Sequence, residues 1–301
     1  MNPFIAKILP IIAFFFLGIF FKYLKIFSLN DGHFLLKLVF YLFLPALAFI
    51  SMIETDISSS FMIIPFLPII PIAINFIFVT IFLRFFPQPK ITAGVIYCAA
   101  LIMNTGFTLP FFEAAYSMEG FSRAIMFDIG NSFIIYTFIY FIAVKHGNNQ
   151  KISKSQILKK FLYMPPLWGL LIGLIVNLQN IKVSQPFLDF FEYASKPTIP
   201  VIMLALGLLF HPRLQNLPKA LIIIAIRMIG GLLTGYAITL IIPLDALSQK
   251  IIIASCAAPV GYNTLVFAAL ENLDEQFGAT IVSTSILIGI IYIPLIFLLI
   301  N

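Results

Sequence analysis

Two short clusters of polar and helix-breaking residues stand inside otherwise apolar stretches. Asn104-Thr105-Gly106, followed by Pro110, interrupts Ile91–Glu113, and Pro259-Val260-Gly261-Tyr262-Asn263 interrupts Ser248–Leu270. Proline has no amide hydrogen and crowds the carbonyl one turn back, so the helical ladder is expected to open around residues 104–110 and 258–263. Backbone groups freed at membrane depth are tolerated only beside other protein or a watery cavity. What they can do there is hold an anion. A half-helix N-terminus offers unpaired amides and about half a positive elementary charge, so two such ends meeting in mid-membrane hold a carboxylate without a buried Lys or Arg. On that reading the amides after Asn104 and after Pro259 grip the anion, and the side chains of Asn104, Thr105, Tyr262 and Asn263 orient it. Phe107, Leu265 and Val266 wall its carbon skeleton. For Asn104 and Asn263 the competing role is to satisfy carbonyls freed by their own helix breaks.

Ionisable residues at depth are functional candidates by default. Asp128 shares a helical face with Asn131 and is expected to accept a proton, to organise polar groups near the breaks, or to pair with Arg123 or Arg227. Arg227 is expected to pair with Asp128, to balance the substrate's charge, or to reach a headgroup. Glu192 and Lys196 stand at the spacing of a helical ion pair. His33, His146 and His211 are not paired as metal ligands, and Cys98 and Cys256 lack metal-ligand spacing. With no phosphate loop, HExxH or GxSxG in the chain, no catalytic residue, metal or cofactor is expected.

The elements that must position these groups are transmembrane helices. The chain is 61% hydrophobic and 10% charged, where a soluble domain is typically about 25% charged. The basic residues behind the net charge of +6 are scattered among short connections, which argues against nucleic acid and for a lipid bilayer as surroundings. At about 20 residues per crossing, ten spans fit: 4–24, 32–53, 61–83, 91–113, 121–145, 161–179, 184–210, 219–243, 248–270 and 276–300. The expected fold class is therefore an all-α polytopic membrane protein. Residues 1–145 make one five-helix half, 161–301 the other, and 146–160 a polar linker. Lys and Arg gather in connections 1–2, 3–4, 5–6 and 7–8, which puts the 145–160 loop in the cytoplasm and both termini outside a cell or inner membrane. Five spans per half gives the halves opposite orientation, an inverted repeat with a broken span fourth in each.

The chain resembles the auxin efflux carrier family, the PIN-like permeases that include bacterial malonate and malate carriers. The resemblance is most specific from Ala257 onward, AAPVGYNTLVFAALENLDEQFGATIVSTSILIGIIYIPLIFLL, and Asn104-Thr105-Gly106 with its following Pro resembles the first-half counterpart. One departure is that Thr108 stands where the family places Gly. The resemblance implies that spans 1, 2, 6 and 7 form a scaffold, that spans 3–5 and 8–10 form a moving transport unit, and that the broken spans cross beside a small organic anion. It also implies homodimers joined through the scaffold. The expected function is a secondary, elevator-type carrier of a small carboxylate, working in efflux and driven by membrane potential or a proton gradient. A sodium-coupled carrier of the bile-acid type is the alternative, with Asn104, Thr105 and Thr264 as oxygen ligands. A non-transporting membrane sensor is the alternative of another class.

Overall fold

The structure, a computed structural model, describes residues 3–55, 59–147, 165–210 and 216–300. Asp56, His211, Arg213 and the linker lysines Lys151, Lys154, Lys159 and Lys160 lie outside the described residues. Among the described residues every regular element is helical, and one isolated antiparallel bridge joins Met103 to Val260. Six helical runs are long and apolar enough to cross a membrane: Ala6–Tyr23, Leu29–Glu54, Phe61–Phe85, Thr105–His146, Leu217–Ile241 and Glu275–Ile300. Three shorter apolar helices, Lys90–Leu101, Pro165–Leu178 and Ala246–Cys256, stand between them.

Several expected boundaries move. The stretch 184–210 is two helices, Gln185–Ser195 and Thr198–Leu209, because Pro197 cannot continue the first and caps the second. The turn expected between 113 and 121 is a kink at Ser117 alone, whose backbone sits at φ 55°, ψ −153° and separates two helical stretches within Thr105–Ile134. Lys196 does not pair with Glu192; its ammonium lies over the Tyr193 ring, 4.6 Å from the centroid.

The chain divides into two compact units. The first comprises Met1–Ser59, Leu109–Ile125 and Leu162–Phe210. Small residues let its helices touch backbone to backbone, the packing available in lipid where burial of apolar surface drives nothing. A Cβ on Gly18 would fall 2.2 Å from the Leu204 carbonyl oxygen, and one on Gly169 2.2 Å from that of Pro45. Pro45 also lacks the donor a helix needs there, and the wider turn Val39–Phe43 just before it accommodates the loss.

The second unit comprises Ser60–Thr108, Met126–Phe161 and His211–Asn301. It contains both interruptions singled out above. The same device recurs: a Cβ on Gly231 would fall 1.9 Å from the carbonyl oxygen of Cys256. The long helix Leu217–Ile241 therefore lies directly on the end of Ala246–Cys256.

Candidate functional site

Each interruption separates an inbound from an outbound half-helix. In the first, Lys90–Leu101 ends, Ile102–Asn104 cross, and a new helix starts at Thr105. In the second, Ala246–Cys256 ends, Ala257–Tyr262 cross, and Asn263–Glu271 begins. The two crossing segments lie side by side. Asn104 N donates to Pro259 O at 2.9 Å, and Gly261 N donates to Ile102 O at 2.9 Å, on either side of the Met103–Val260 bridge. Ile102, Met103 and Val260 are buried. The glycine at 261 is a matter of space, since a Cβ there would fall 2.2 Å from Ile102 Cγ2.

The first break lies upstream of its expected place. Residues 105–110 are helical, so Pro110 does not open the ladder; it is buried in the outbound helix and leaves the Gly106 carbonyl without its helical donor. What starts the helix is Asn104, whose Oδ1 accepts from Phe107 N at 3.2 Å as an N-cap. Its Nδ2 donates to Val260 O at 3.4 Å. Both ends of the Asn104 amide are thus engaged in holding the crossing together. Thr108, in the position where the resemblance has Gly, folds its hydroxyl back onto Thr105 O at 2.8 Å.

Other freed backbone groups are met by side chains from three further helices and from Asn131, farther along Thr105–Ile134. Asn75 donates to Ala100 O at 3.2 Å, and Arg227 donates through Nη2 to Cys256 O and through Nε to Ala258 O at 3.4 Å. These two residues serve the C-terminal ends of the two inbound half-helices, where the dipole is negative. Asn131 donates to Met103 O at 3.3 Å, and Val260 N donates to Ser285 Oγ at 3.1 Å. Arg227, fully buried, gives Nε and Nη2 to carbonyls and does not pair with Asp128, and its Nη1 is buried with no partner among the described residues. Arg123 likewise pairs with Glu119 at 2.9 Å.

Asp128 is bound into the first crossing instead. Its Oδ1 accepts from the Thr105 hydroxyl and, at 3.2 Å, from Asn131 Nδ2. A carboxyl group thereby stands beside the N-terminus of the first outbound half-helix. Asn131 links it to the crossing backbone, and its own Oδ1 is buried with no partner among the described residues.

The amides expected to grip an anion are in part spent on the crossing: Asn104 N, Val260 N and Gly261 N all donate within it. Among the described residues no backbone carbonyl outside the helix takes those of Thr105 and Gly106, in the first turn of the outbound helix. At the second outbound end Tyr262 and Asn263 are half-buried, and the Thr264 hydroxyl is buried without a partner among the described residues. Phe107 is not an open wall: it is fully buried, close to Gly289 and Pro259. Sequence reasoning missed Asn75. A single amide in the apolar run Ile69–Phe85 was the available signal.

A family model described as "Membrane transport protein" matches residues 3–297. An "Uncharacterized transporter" of Methanothermobacter thermautotrophicus is 23% identical over 293 residues, covering 96% of this chain and 95% of that protein. Another uncharacterized transporter, from Methanocaldococcus jannaschii, is 26% identical over 276 residues, 87% of this chain and 88% of its own.

Proposed function

The chain belongs to the membrane transport protein family, that of the auxin efflux carriers, and on that premise we propose that it is a secondary carrier of a small organic anion whose binding is coupled to a proton on Asp128. The observation that carries the reading is the place of Asp128. The first outbound half-helix offers the amides of Thr105 and Gly106 to an anion, and Asp128 is hydrogen-bonded to Thr105 at that same end. An ionised carboxylate about 5–6 Å from a bound anion costs about 3 kcal/mol at an effective dielectric of about 20. A proton on Asp128 removes that repulsion, so proton and anion bind together. For a monocarboxylate a full cycle, with proton and anion carried together and the ionised carrier returning empty, then moves no net charge. Without the proton, each outward-moving anion would gain about 2.3 kcal/mol per 100 mV of inside-negative potential.

A ten-span, inverted-repeat architecture with elevator motion is supported by two features. Both crossing segments fall in the second compact unit, and the stretches expected as spans 1, 2, 6 and 7 fall in the first. The second unit holds both crossing segments, whereas Leu109–Ile125, expected within the moving spans 4 and 5, groups with the first. Direct candidates for contact with the anion are Thr105, Gly106, Tyr262 and Asn263, with Asn104, Pro110, Pro259 and Gly261 shaping the backbone around them.

The test is net uptake of a panel of small mono- and dicarboxylates into proteoliposomes, with either a pH gradient or a membrane potential imposed. Monocarboxylate flux is expected to follow the pH gradient and ignore the potential, and Asp128→Asn is expected to reverse that dependence. Flux driven by potential in the wild type would overturn the coupling. A strict sodium requirement would favour the bile-acid type of carrier, and no flux with any carboxylate would overturn the anion reading.

A further inference from the structure

The first compact unit holds an open cavity of about 620 Å³ that has no residue in common with the crossing. Its volume falls within the range of about 300–1,000 Å³ typical of ligand sites. The wall is divided by chemistry. Lys7, Glu113 and Lys196 supply charge and Ser117 a hydroxyl, while Leu47 and Ile199 are among its apolar residues. Among the described residues none of the three ionisable side chains makes an ion pair, although Lys196 lies over the Tyr193 ring and Glu113 feels the charge of Lys7. Lys7 and Lys196 are exposed and Glu113 is half-buried.

This grouping is unusual for the chain. Lys7 interrupts the apolar helix Pro3–Tyr23 within its second turn, and Lys196 stands in the gap between Gln185–Ser195 and Thr198–Leu209. Both positions cost free energy in hydrocarbon unless the side chain reaches water, a partner or a ligand. Ser117, on the same wall, adopts a backbone conformation that side chains other than glycine rarely take. Strain of that kind persists where the surrounding structure has a use for it. Here it interrupts the helix Thr105–Ile134 at the cavity.

We propose that this cavity is a second binding site, for an amphiphilic anion: a phosphate or carboxylate head held by Lys7 and Lys196, with an apolar tail lying on Leu47 and Ile199. Two lysines against one glutamate leave the wall net positive, which selects an anionic head. Glu113 sets the affinity by repulsion, so the ligand is held without being trapped. The head can come from an acidic membrane lipid or from a free carboxylate, and the two sources separate by experiment.

The purified full-length protein in detergent is titrated with phosphatidylglycerol, with decanoate, and with phosphatidylcholine as the neutral control. Binding is read by thermal stabilisation and by intact-complex mass spectrometry. Lys7→Gln and Lys196→Gln are each expected to weaken the anionic ligand about tenfold, the scale of one charged contact, while Glu113→Gln strengthens it. Lys196→Arg, which keeps the charge, retains binding. Response to phosphatidylglycerol alone assigns the site to lipid, and response to decanoate alone assigns it to a soluble anion. Equal binding of phosphatidylcholine, or affinities unmoved by all three charge-removing variants, would overturn the proposal. Carboxylate uptake is read separately, so that result would leave the role of the crossing untouched.

Discussion

At the first break the chain crosses through Ile102–Asn104 with neither proline nor glycine, and at the second through Ala257–Tyr262 with both. Yet the two segments lie side by side and exchange a matched pair of 2.9 Å hydrogen bonds. The second break is written into its own residues: Pro259 lacks a donor, and Gly261 admits Ile102. The first depends on Asn104 as a cap and on the second segment as a partner. Their supporting charges differ too. A neutral Asn75 meets the inbound end of the first, whereas a buried Arg227 meets that of the second. Asp128 stands at the outbound end of the first, and the sequence 257–266 of the second carries no acidic residue. The lesson is a division of labour: the second break is the structural anchor, and the first, bearing the carboxyl group, is the part that can respond to protons.

The largest effect should come from removing the anchor's cation. Arg227→Met leaves the Cys256 and Ala258 carbonyls unmet in a fully buried place and is expected to destabilise the protein by about 3–5 kcal/mol. Asn75→Leu removes one neutral hydrogen bond and should cost about 1–2 kcal/mol. Thermal unfolding of the two variants side by side checks the order, and equal losses would break the asymmetry. Next comes Gly261→Ala, whose added methyl meets Ile102 Cγ2 and should cost about 1–3 kcal/mol as overpacking, with loss of carboxylate flux. Ile102→Ala in the same chain removes that atom. A double variant whose stability and flux recover beyond the sum of the singles would locate the fault at the crossing.

Much of this was legible in the residues. The apolar runs gave the long helices, the Pro259–Gly261 cluster gave the second break, and the spacing of Asp128 and Asn131 put them on one face, where Asn131 Nδ2 does donate to Asp128. The first break was displaced because proline marks a missing donor, not the place where another segment pairs with the chain. Pro110 drew attention downstream, while Asn104 had already begun the helix. The partners of Arg227 were not legible, since it meets carbonyls 29 and 31 residues further along, brought near by the packing of Gly231 on the end of Ala246–Cys256. For the same reason the Lys7–Lys196 cavity draws on parts of the chain too distant in sequence for any spacing to connect.

The smallest effect separates the two breaks by function instead of by stability. Ser285 gives Val260 N an acceptor at 3.1 Å and touches no ionisable group in doing so. Asn131 gives Met103 O a donor and also holds Asp128. Ser285→Ala should therefore cost about 1 kcal/mol, one buried hydrogen bond, and leave the pH dependence of flux where it is in the wild type. Asn131→Ser should cost a similar amount but shift that dependence, because Asp128 loses one of the two donors on its Oδ1. Losing a donor to the ionised form favours the protonated form, so the half-maximal pH should move upward. Flux measured across a pH series in both variants decides it. An equal shift in the two, or none in either, would mean that the carboxyl group is only part of the scaffolding.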